Sequence, residues 1–118
     1  MKFELAGVDN GVAHVLITGR VSQEEISPFG DVFRDHLGAE AYGQRVLVDL
    51  SDVDWMDSSG VSWVLGCNKK FRQGGGCLVL HSLSPMVHDV FKVLHLQKIL
   101  TIAPNQTAAE ALVQGEGS

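Results

Sequence analysis

The chain has 118 residues and a formal net charge of −5, and 45% of its residues are hydrophobic. A chain of this length and apolar fraction is expected to fold as one domain, residues 1–118, with a core of its own. Nine Lys and Arg against fourteen Asp and Glu argue against nucleic acid as the main partner, because phosphate backbones are bound by basic surfaces.

The sequence contains no signal for export or for membrane insertion. No apolar run approaches the roughly 18 residues that span a bilayer, and the first residues lack the basic and apolar regions of a signal peptide. We therefore expect a cytoplasmic protein without direct membrane insertion. Cys67 and Cys77 are too few for a disulfide framework and too far apart for a CxxC site, so both are expected to be buried thiols.

The first third of the chain predicts a hairpin followed by a helix. Asp9-Asn10-Gly11 is a turn signal between an extended start and a strand over Val12–Gly19. Ser22 then caps a helix, with Glu25 three residues later, that contains Pro28 and ends at Gly38. The predicted apolar face of this helix consists of Ile26, Phe29, Phe33 and Leu37.

The central part predicts two buried strands that flank a helix. Arg45–Leu50 and Cys77–His81 have the short, β-branched pattern of strands buried on both faces. A loop with Asp52, Asp54 and Asp57 follows the first strand, and a helix leads from it to a turn at Gly74-Gly75-Gly76. The predicted buried face of that helix consists of Val61, Val64, Leu65, Asn68 and Phe71.

The last part predicts a helix, a short strand and a terminal helix. Ser84-Pro85 is a cap followed by Pro at the first helical position. Ile99–Ile102 reads as a strand, Asn105 or Thr107 caps the last helix, and residues 115–118 are expected to be a frayed tail. The predicted apolar positions of the two helices are Val87, Val90, Phe91 and Leu94, then Ala108, Ala111 and Leu112.

The resulting order of elements, β-β-α-β-α-β-α-β-α, predicts the fold class. Strands that alternate with helices form a mostly parallel sheet, and the hairpin adds an antiparallel strand at its leading edge. Right-handed crossovers place about four helices against this sheet. We therefore expect a small α/β sandwich.

The segment from Asp49 to Asn68 is the most informative for function. No basic residue lies between Arg45 and Lys69, and four acids, Asp49, Asp52, Asp54 and Asp57, precede the central helix. The carboxyl end of a strand is where ligands and partners usually engage an α/β sheet. A phosphoserine at Ser58 or Ser59 would add about −1.5 to −2 charges there and change what the surface binds. In the other interpretation, one of these serines only caps the helix.

Two tryptophans lie within this segment. Trp63 is either an exposed anchor for a partner or a side chain that closes against a neighbouring helix. Trp55 is expected to support the core or the loop. No nucleophile elbow is present, and His88 and His95 have no further ligand at metal-site spacing. The sequence thus predicts neither enzymatic activity nor a metal or other cofactor.

The run from Val46 to Val61, with Asp57-Ser58-Ser59-Gly60 near its end, resembles the signature of STAS domains. More narrowly, it is similar to bacterial anti-sigma factor antagonists. Leu83-Ser84-Pro85 and the terminal helix around Ala108–Leu112 also fit, so that the resemblance covers residues 4 to 113. It implies a small STAS-like α/β sandwich that binds a partner and has no catalytic activity of its own.

The resemblance also implies a switch. The serine directly after the Asp, here Ser58, would be phosphorylated by an anti-sigma factor that is also an ATP-dependent serine kinase. The unphosphorylated form would bind this kinase and release a sigma factor, and a metal-dependent serine phosphatase of the PPM type would remove the phosphate. The implied partner contacts are Ser22, Asp57, Ser58, Ser59, Gly60 and Trp63.

The chain departs from the family pattern at two of these positions. Ser22 in Gly19-Arg20-Val21-Ser22 stands where the family often has Asp, and Trp63 replaces a smaller aliphatic residue. Two alternatives remain open at this point. The chain could be a STAS subunit of a larger assembly, such as a lipid-transport ATPase complex or a sensory complex, with Ser58 only a helix cap. It could also bind a nucleotide or another small ligand at the same turn.

Overall fold

The computed structural model describes residues 1–26 and 30–116. It has a sheet of five strands, β1 (Lys2–Asp9), β2 (Val12–Val21), β3 (Arg45–Met56), β4 (Cys77–His81) and β5 (Thr101–Ala103). The strands lie side by side in the order β1-β2-β3-β4-β5, with β1 and β2 antiparallel and all other neighbours parallel. The α-helices are α1 (Gln23–Ile26), α2 (Val32–Leu37), α3 (Ser58–Gly74), α4 (Pro85–Val93) and α5 (Gln106–Glu116). The predicted fold class is confirmed.

The β1–β2 hairpin forms where the turn signal predicts it. Asp9 pairs with Val12, and the two residues between them, Asn10 and Gly11, have φ angles of 53° and 74°. Two consecutive residues with positive φ are what a two-residue hairpin turn of type I′ requires, and Asn followed by Gly adopts them at little cost.

The prediction of a single helix from Ser22 to Leu37 is wrong. The structure has two separate helices there, because Gly30 takes a left-handed φ of 59° and Asp31 caps a new helix. The Asp31 side chain accepts a hydrogen bond from the Arg34 N–H at 3.3 Å. Pro28 and Phe29, which the prediction includes in the single helix, lie outside the described residues.

The prediction of a loop after Leu50 is also wrong, because β3 continues to Met56. Its second half pairs with an equally extended β2, with Asp52 opposite Thr18 and Trp55 opposite Arg20. Two register shifts in this ladder, after Leu16 and after Gly19, disturb the regular alternation of buried and exposed side chains. Asp57 is therefore the one acid of the four that lies in the turn before α3.

Helices cover both faces of the sheet. On one face Val15, Val48 and Leu80 are neighbours across three strands and belong to a cluster with Phe71 of α3 and Phe91 of α4. The other face packs against α5. The buried members of that second cluster are Val12, Leu47, Val79, Ala103, Ala109 and Val113.

The C-terminal elements differ in detail from the predictions. β5 is shorter than expected, and Asn105 rather than Thr107 caps α5, with its Oδ1 accepting from the Ala108 N–H at 2.9 Å. The α5 helix buries Ala109 and Val113, whereas the predicted apolar residue Leu112 is 42% exposed. Residues 115 and 116 belong to α5 instead of a frayed tail, and residues 117 and 118 lie outside the described residues. No helix within residues 1–26 and 30–116 is long and apolar enough to cross a bilayer.

Candidate functional site

The α3 helix begins at the carboxyl end of β3, and Asp57 caps it. The Oδ1 of Asp57 accepts a hydrogen bond from the Gly60 N–H at 2.9 Å, and its backbone is extended. Ser58 and Ser59 are consequently the first two residues of the helix. The interpretation that either serine is the cap is wrong, because the Asp57 carboxylate takes that role.

Gly60 holds the start of α3 directly against the end of β2. A Cβ atom at this position would lie 2.2 Å from the carbonyl oxygen of Val21 and 2.8 Å from Cγ of Met56. The same Val21 carbonyl also accepts the Asp57 N–H at 3.4 Å. A residue with a side chain at position 60 would push the helix away from the sheet, so glycine sets the location of the adjacent serines.

Ser58 presents its hydroxyl to solvent. The side chain is exposed and forms no hydrogen bond within the part of the chain that the structure describes. It lies in the first turn of α3, where unsatisfied N–H groups and the helix dipole favour negative charge. Ser58 is therefore accessible to solvent at a position where the helix itself favours negative charge.

Beside Ser58, a groove of about 300 Å³ runs between α1 and α3. Ser59, Ser62 and Trp63 line it from α3, and Gln23 and Ile26 line it from α1. Trp63 is half-buried and stacks on Phe33 of α2, with 6.4 Å between ring centroids and an angle of 21°. Of the two interpretations of Trp63, packing against a neighbouring helix is the main one, although the side chain also lines the groove.

The six predicted contact residues all lie near the carboxyl ends of β2 and β3, but at different depths. Ser58 is exposed, Asp57, Ser59 and Trp63 are half-buried, and Gly60 is buried. Ser22 is 8% exposed, and its carbonyl accepts the N–H groups of Glu25 and Ile26. Ser22 thus begins α1 beneath the surface and offers little area to a partner.

The predicted crowding of four acids in one turn is wrong. Asp49, Asp52 and Asp54 lie on β3, and at about 3.3 Å per residue they are roughly 26, 17 and 10 Å along the chain from Asp57. Exposed charges separated by more than about 8–10 Å are largely screened at physiological salt. The Asp57 carboxylate is therefore the main acidic neighbour that the sequence segment supplies to Ser58.

A surface pair of Trp55 and Arg20 was not predicted. Trp55 is 43% exposed, and the Arg20 guanidinium lies 5.4 Å from the centroid of its ring. Arg20 is far from this segment in sequence but is opposite Trp55 in the β2–β3 ladder. Positive charge therefore does reach this end of the sheet, and only the pairing of β2 with β3 reveals it.

The prediction that both cysteines are buried is right for one of them. Cys67 is buried, and burial raises the pKa of its thiol to about 12, so that it stays protonated at neutral pH, whereas Cys77 is only half-buried. Asn68 is buried on the inner face of α3, where its Nδ2 donates to the Ile99 carbonyl at 3.5 Å. Within residues 1–26 and 30–116, no three His, Cys, Asp or Glu side chains are placed to hold a metal ion.

Comparison with known proteins gives a consistent result. The model of the STAS domain family matches residues 8–109. BtrV of Bordetella bronchiseptica, named as a candidate anti-sigma factor antagonist, is 38% identical over 68 residues, which cover 58% of this chain and 59% of BtrV. The chain spans less than two thirds of the length of the curated relatives it matches.

Solved structures share the fold. A crystal structure from Thermotoga maritima, described as a candidate anti-sigma factor antagonist, has a TM-score of 0.80 at 21% identity and covers 92% of both chains. The unphosphorylated anti-sigma factor antagonist SpoIIAA has a TM-score of 0.68 at 23% identity, over 99% of this chain and 98% of that one. SpoIIAA is also known in a phosphorylated form, with a TM-score of 0.64 at 21% identity, over 94% of this chain and 99% of that one.

Proposed function

The chain belongs to the STAS domain family, and we propose that it acts there as an anti-sigma factor antagonist controlled by phosphorylation of Ser58. The observation that carries this proposal is the exposed Ser58 hydroxyl at the first position of α3, with the cap supplied by Asp57. The names of the relatives in the same family support it. The protein would act in the cytoplasm as a binding module without catalytic activity.

In the unphosphorylated state, we propose that the start of α3 and the adjacent groove bind an anti-sigma factor. Ser58 lies at the edge of this surface, and Ser59 and Trp63 line the groove beside it. Binding would occupy the anti-sigma factor and free its sigma factor. Trp63 offers the kind of large, partly apolar contact that often dominates the energy of an interface.

The proposed partner is also an ATP-dependent serine kinase, and the geometry favours Ser58 over Ser59 as its substrate. A kinase must place the acceptor hydroxyl in line with the γ-phosphate of ATP, which requires an accessible side chain. Ser58 is exposed, whereas Ser59 is half-buried against the groove. A PPM-type phosphatase would restore the hydroxyl.

Phosphorylation is expected to alter binding far more than stability. A phosphoryl group adds about −1.5 to −2 charges. The N-terminus of α3 favours this charge by about 0.3–1 kcal/mol, and the Asp57 carboxylate opposes it. These two effects oppose each other in the isolated domain, so we expect the larger penalty when a partner covers the phosphate and excludes water.

The alternative of a structural subunit gave Ser58 the role of a helix cap. The Asp57 side chain performs that role, so helix capping does not explain why a serine stands at position 58. Recovery of a transport ATPase instead of a kinase-type anti-sigma factor in a pull-down with the native chain would favour the structural subunit.

Intact-mass measurement after incubation with ATP and kinase-type anti-sigma factors tests the proposal. We expect the native chain and Ser59→Ala to gain the mass of one phosphoryl group, and Ser58→Ala to gain none. Ser59→Ala is the matched control, because it removes a neighbouring hydroxyl from the same helical turn. An unchanged native mass with every candidate kinase, or modification of Ser58→Ala, would contradict the proposal.

A further inference from the structure

A second cavity lies near the opposite end of α3 from Ser58. It is bounded by the last turns of α3, the start of β4 and the segment that leads into β5, and it has a volume of about 350 Å³. Ligand sites of small molecules begin at about this size. Since a helix rises about 1.5 Å per residue, Arg72 in this cavity lies roughly 20 Å along α3 from Ser58. The cavity is therefore separate from the proposed docking surface.

Two cations and no carboxylate line this cavity. Arg72 of α3 and Lys98, in the 3-10 turn Leu96–Lys98, both contribute to the lining. Neither forms an ion pair with any residue in the described ranges. Two like charges that line one cavity repel each other, and in a chain with a net charge of −5 the absence of any carboxylate there is notable. The arrangement favours an anionic ligand.

Neutral hydrogen-bonding groups complete the lining. Asn68 is 6% exposed, and its Nδ2 reaches the Ile99 carbonyl at 3.5 Å, the outer limit of a hydrogen bond, so the amide retains capacity to donate. Thr101 adds a hydroxyl. The Gly76 N–H is not available, because it already donates to the Tyr42 carbonyl at 2.9 Å. The available donors are thus side chains, with charged groups at the rim and a buried amide on the inner wall.

We propose that this cavity binds a phosphate group, either free or carried by a small molecule. The planar Arg72 guanidinium would donate to two phosphate oxygens, and Lys98 would supply a second positive charge. Asn68 and Thr101 would orient the anion through hydrogen bonds. This site is independent of the proposed function, because it shares no residue with the Ser58 surface and is at the amino ends of β4 and β5.

An NMR titration of the ¹⁵N-labelled chain at constant ionic strength tests this site. The probes are inorganic phosphate and glycerol 3-phosphate, with sodium chloride used to balance the ionic strength. We expect saturable shifts of the Asn68 side-chain amide and of the Gly76 and Thr101 backbone amides. Tighter saturation by inorganic phosphate identifies the free anion as the ligand, and tighter saturation by glycerol 3-phosphate identifies an ester.

Variants make the test specific. The double variant Arg72→Gln and Lys98→Gln should weaken binding at least about tenfold, because charge-assisted hydrogen bonds are lost. Both side chains are exposed, so the fold should persist, as a dispersed spectrum would show. Lys2→Gln is the control for each single variant, Arg72→Gln or Lys98→Gln, because it also removes one positive charge but from β1 at the opposite edge of the sheet. No saturation by either probe, equal binding by the double variant, or shifts confined to residues 58–62 would overturn the proposal.

Discussion

Replacement of Asp57 by Ala separates the role of the cap from the role of the neighbouring serine. The substitution removes the acceptor of the 2.9 Å hydrogen bond from the Gly60 N–H. Loss of such a cap costs about 0.5–2 kcal/mol, and loss of a negative charge near a helix N-terminus adds about 0.3–1 kcal/mol. Asp57 is half-buried, which reduces the charge contribution through solvent screening. We expect a total decrease of about 1–2 kcal/mol in the free energy of unfolding.

Two further variants isolate the contributions. Asp57→Asn keeps an oxygen acceptor and removes the charge, so it should lose no more than about 1 kcal/mol. Ser58→Ala removes an exposed side chain that forms no hydrogen bond in the described structure, and its effect should stay within about 0.5 kcal/mol. Urea unfolding followed by circular dichroism measures all three values. If Ser58→Ala lowers the free energy of unfolding more than Asp57→Ala does, Ser58 is the cap and the assignment made from the geometry is incorrect.

The remaining predictions concern the switch, the packing of α3 and the pH dependence. Ser58→Asp should melt within a few degrees of the native chain but lose affinity for a kinase-type anti-sigma factor in a binding assay, whereas equal affinity would argue against a charge switch. Gly60→Ala should lower the free energy of unfolding by more than about 2 kcal/mol, because its Cβ would overlap the Val21 carbonyl. Gly66→Ala is its control in the same helix, since a Cβ there meets nothing within 4 Å and the change should stabilise α3 by about 0.5–1 kcal/mol. Burial lowers the pKa of His81 below 6.5, an effect that Asp49 and Glu110 oppose. The unfolded chain therefore binds this proton first, and stability should decrease as the pH falls below about 6.5, less so in His81→Gln.

Local signals were sufficient for the turns and for several helix starts. The Asn10-Gly11 turn depends on two adjacent φ angles, and the caps at Ser84 and Asn105 depend on a hydrogen bond to an N–H three residues away. Interactions of this range are encoded in a few consecutive residues. The sequence therefore predicts them without knowledge of the tertiary structure.

Features that depend on distant residues could not be predicted in the same way. The second half of β3 has acidic residues and an irregular polarity pattern, and it becomes a strand because Thr18 and Arg20 of β2 lie beside it. The position at which β3 ends determines which acids lie near Ser58. Because β3 is longer than predicted, Asp52 and Asp54 lie on the strand and not in the turn before α3. The exposure of Trp55 was missed for the same reason.

At the site, the sequence located the residues but not their roles. Asp57, Ser58 and Ser59 are three consecutive residues that all have good N-cap propensity, and only the backbone geometry selects Asp57. The need for glycine at position 60 likewise becomes visible only when the Val21 carbonyl is placed beside it.

The way α3 is anchored indicates how a phosphate on Ser58 would act. Gly60 fixes the helix start against Val21, the Asp57 cap closes the first turn, and Trp63 is stacked on Phe33 one turn later. Added charge at Ser58 would therefore meet a surface with little freedom to rearrange. Screening limits its reach to about 8–10 Å, which includes the first turn of α3 and the groove beside it. We infer that phosphorylation would exclude the partner through repulsion at the interface and would leave the fold of the domain unchanged.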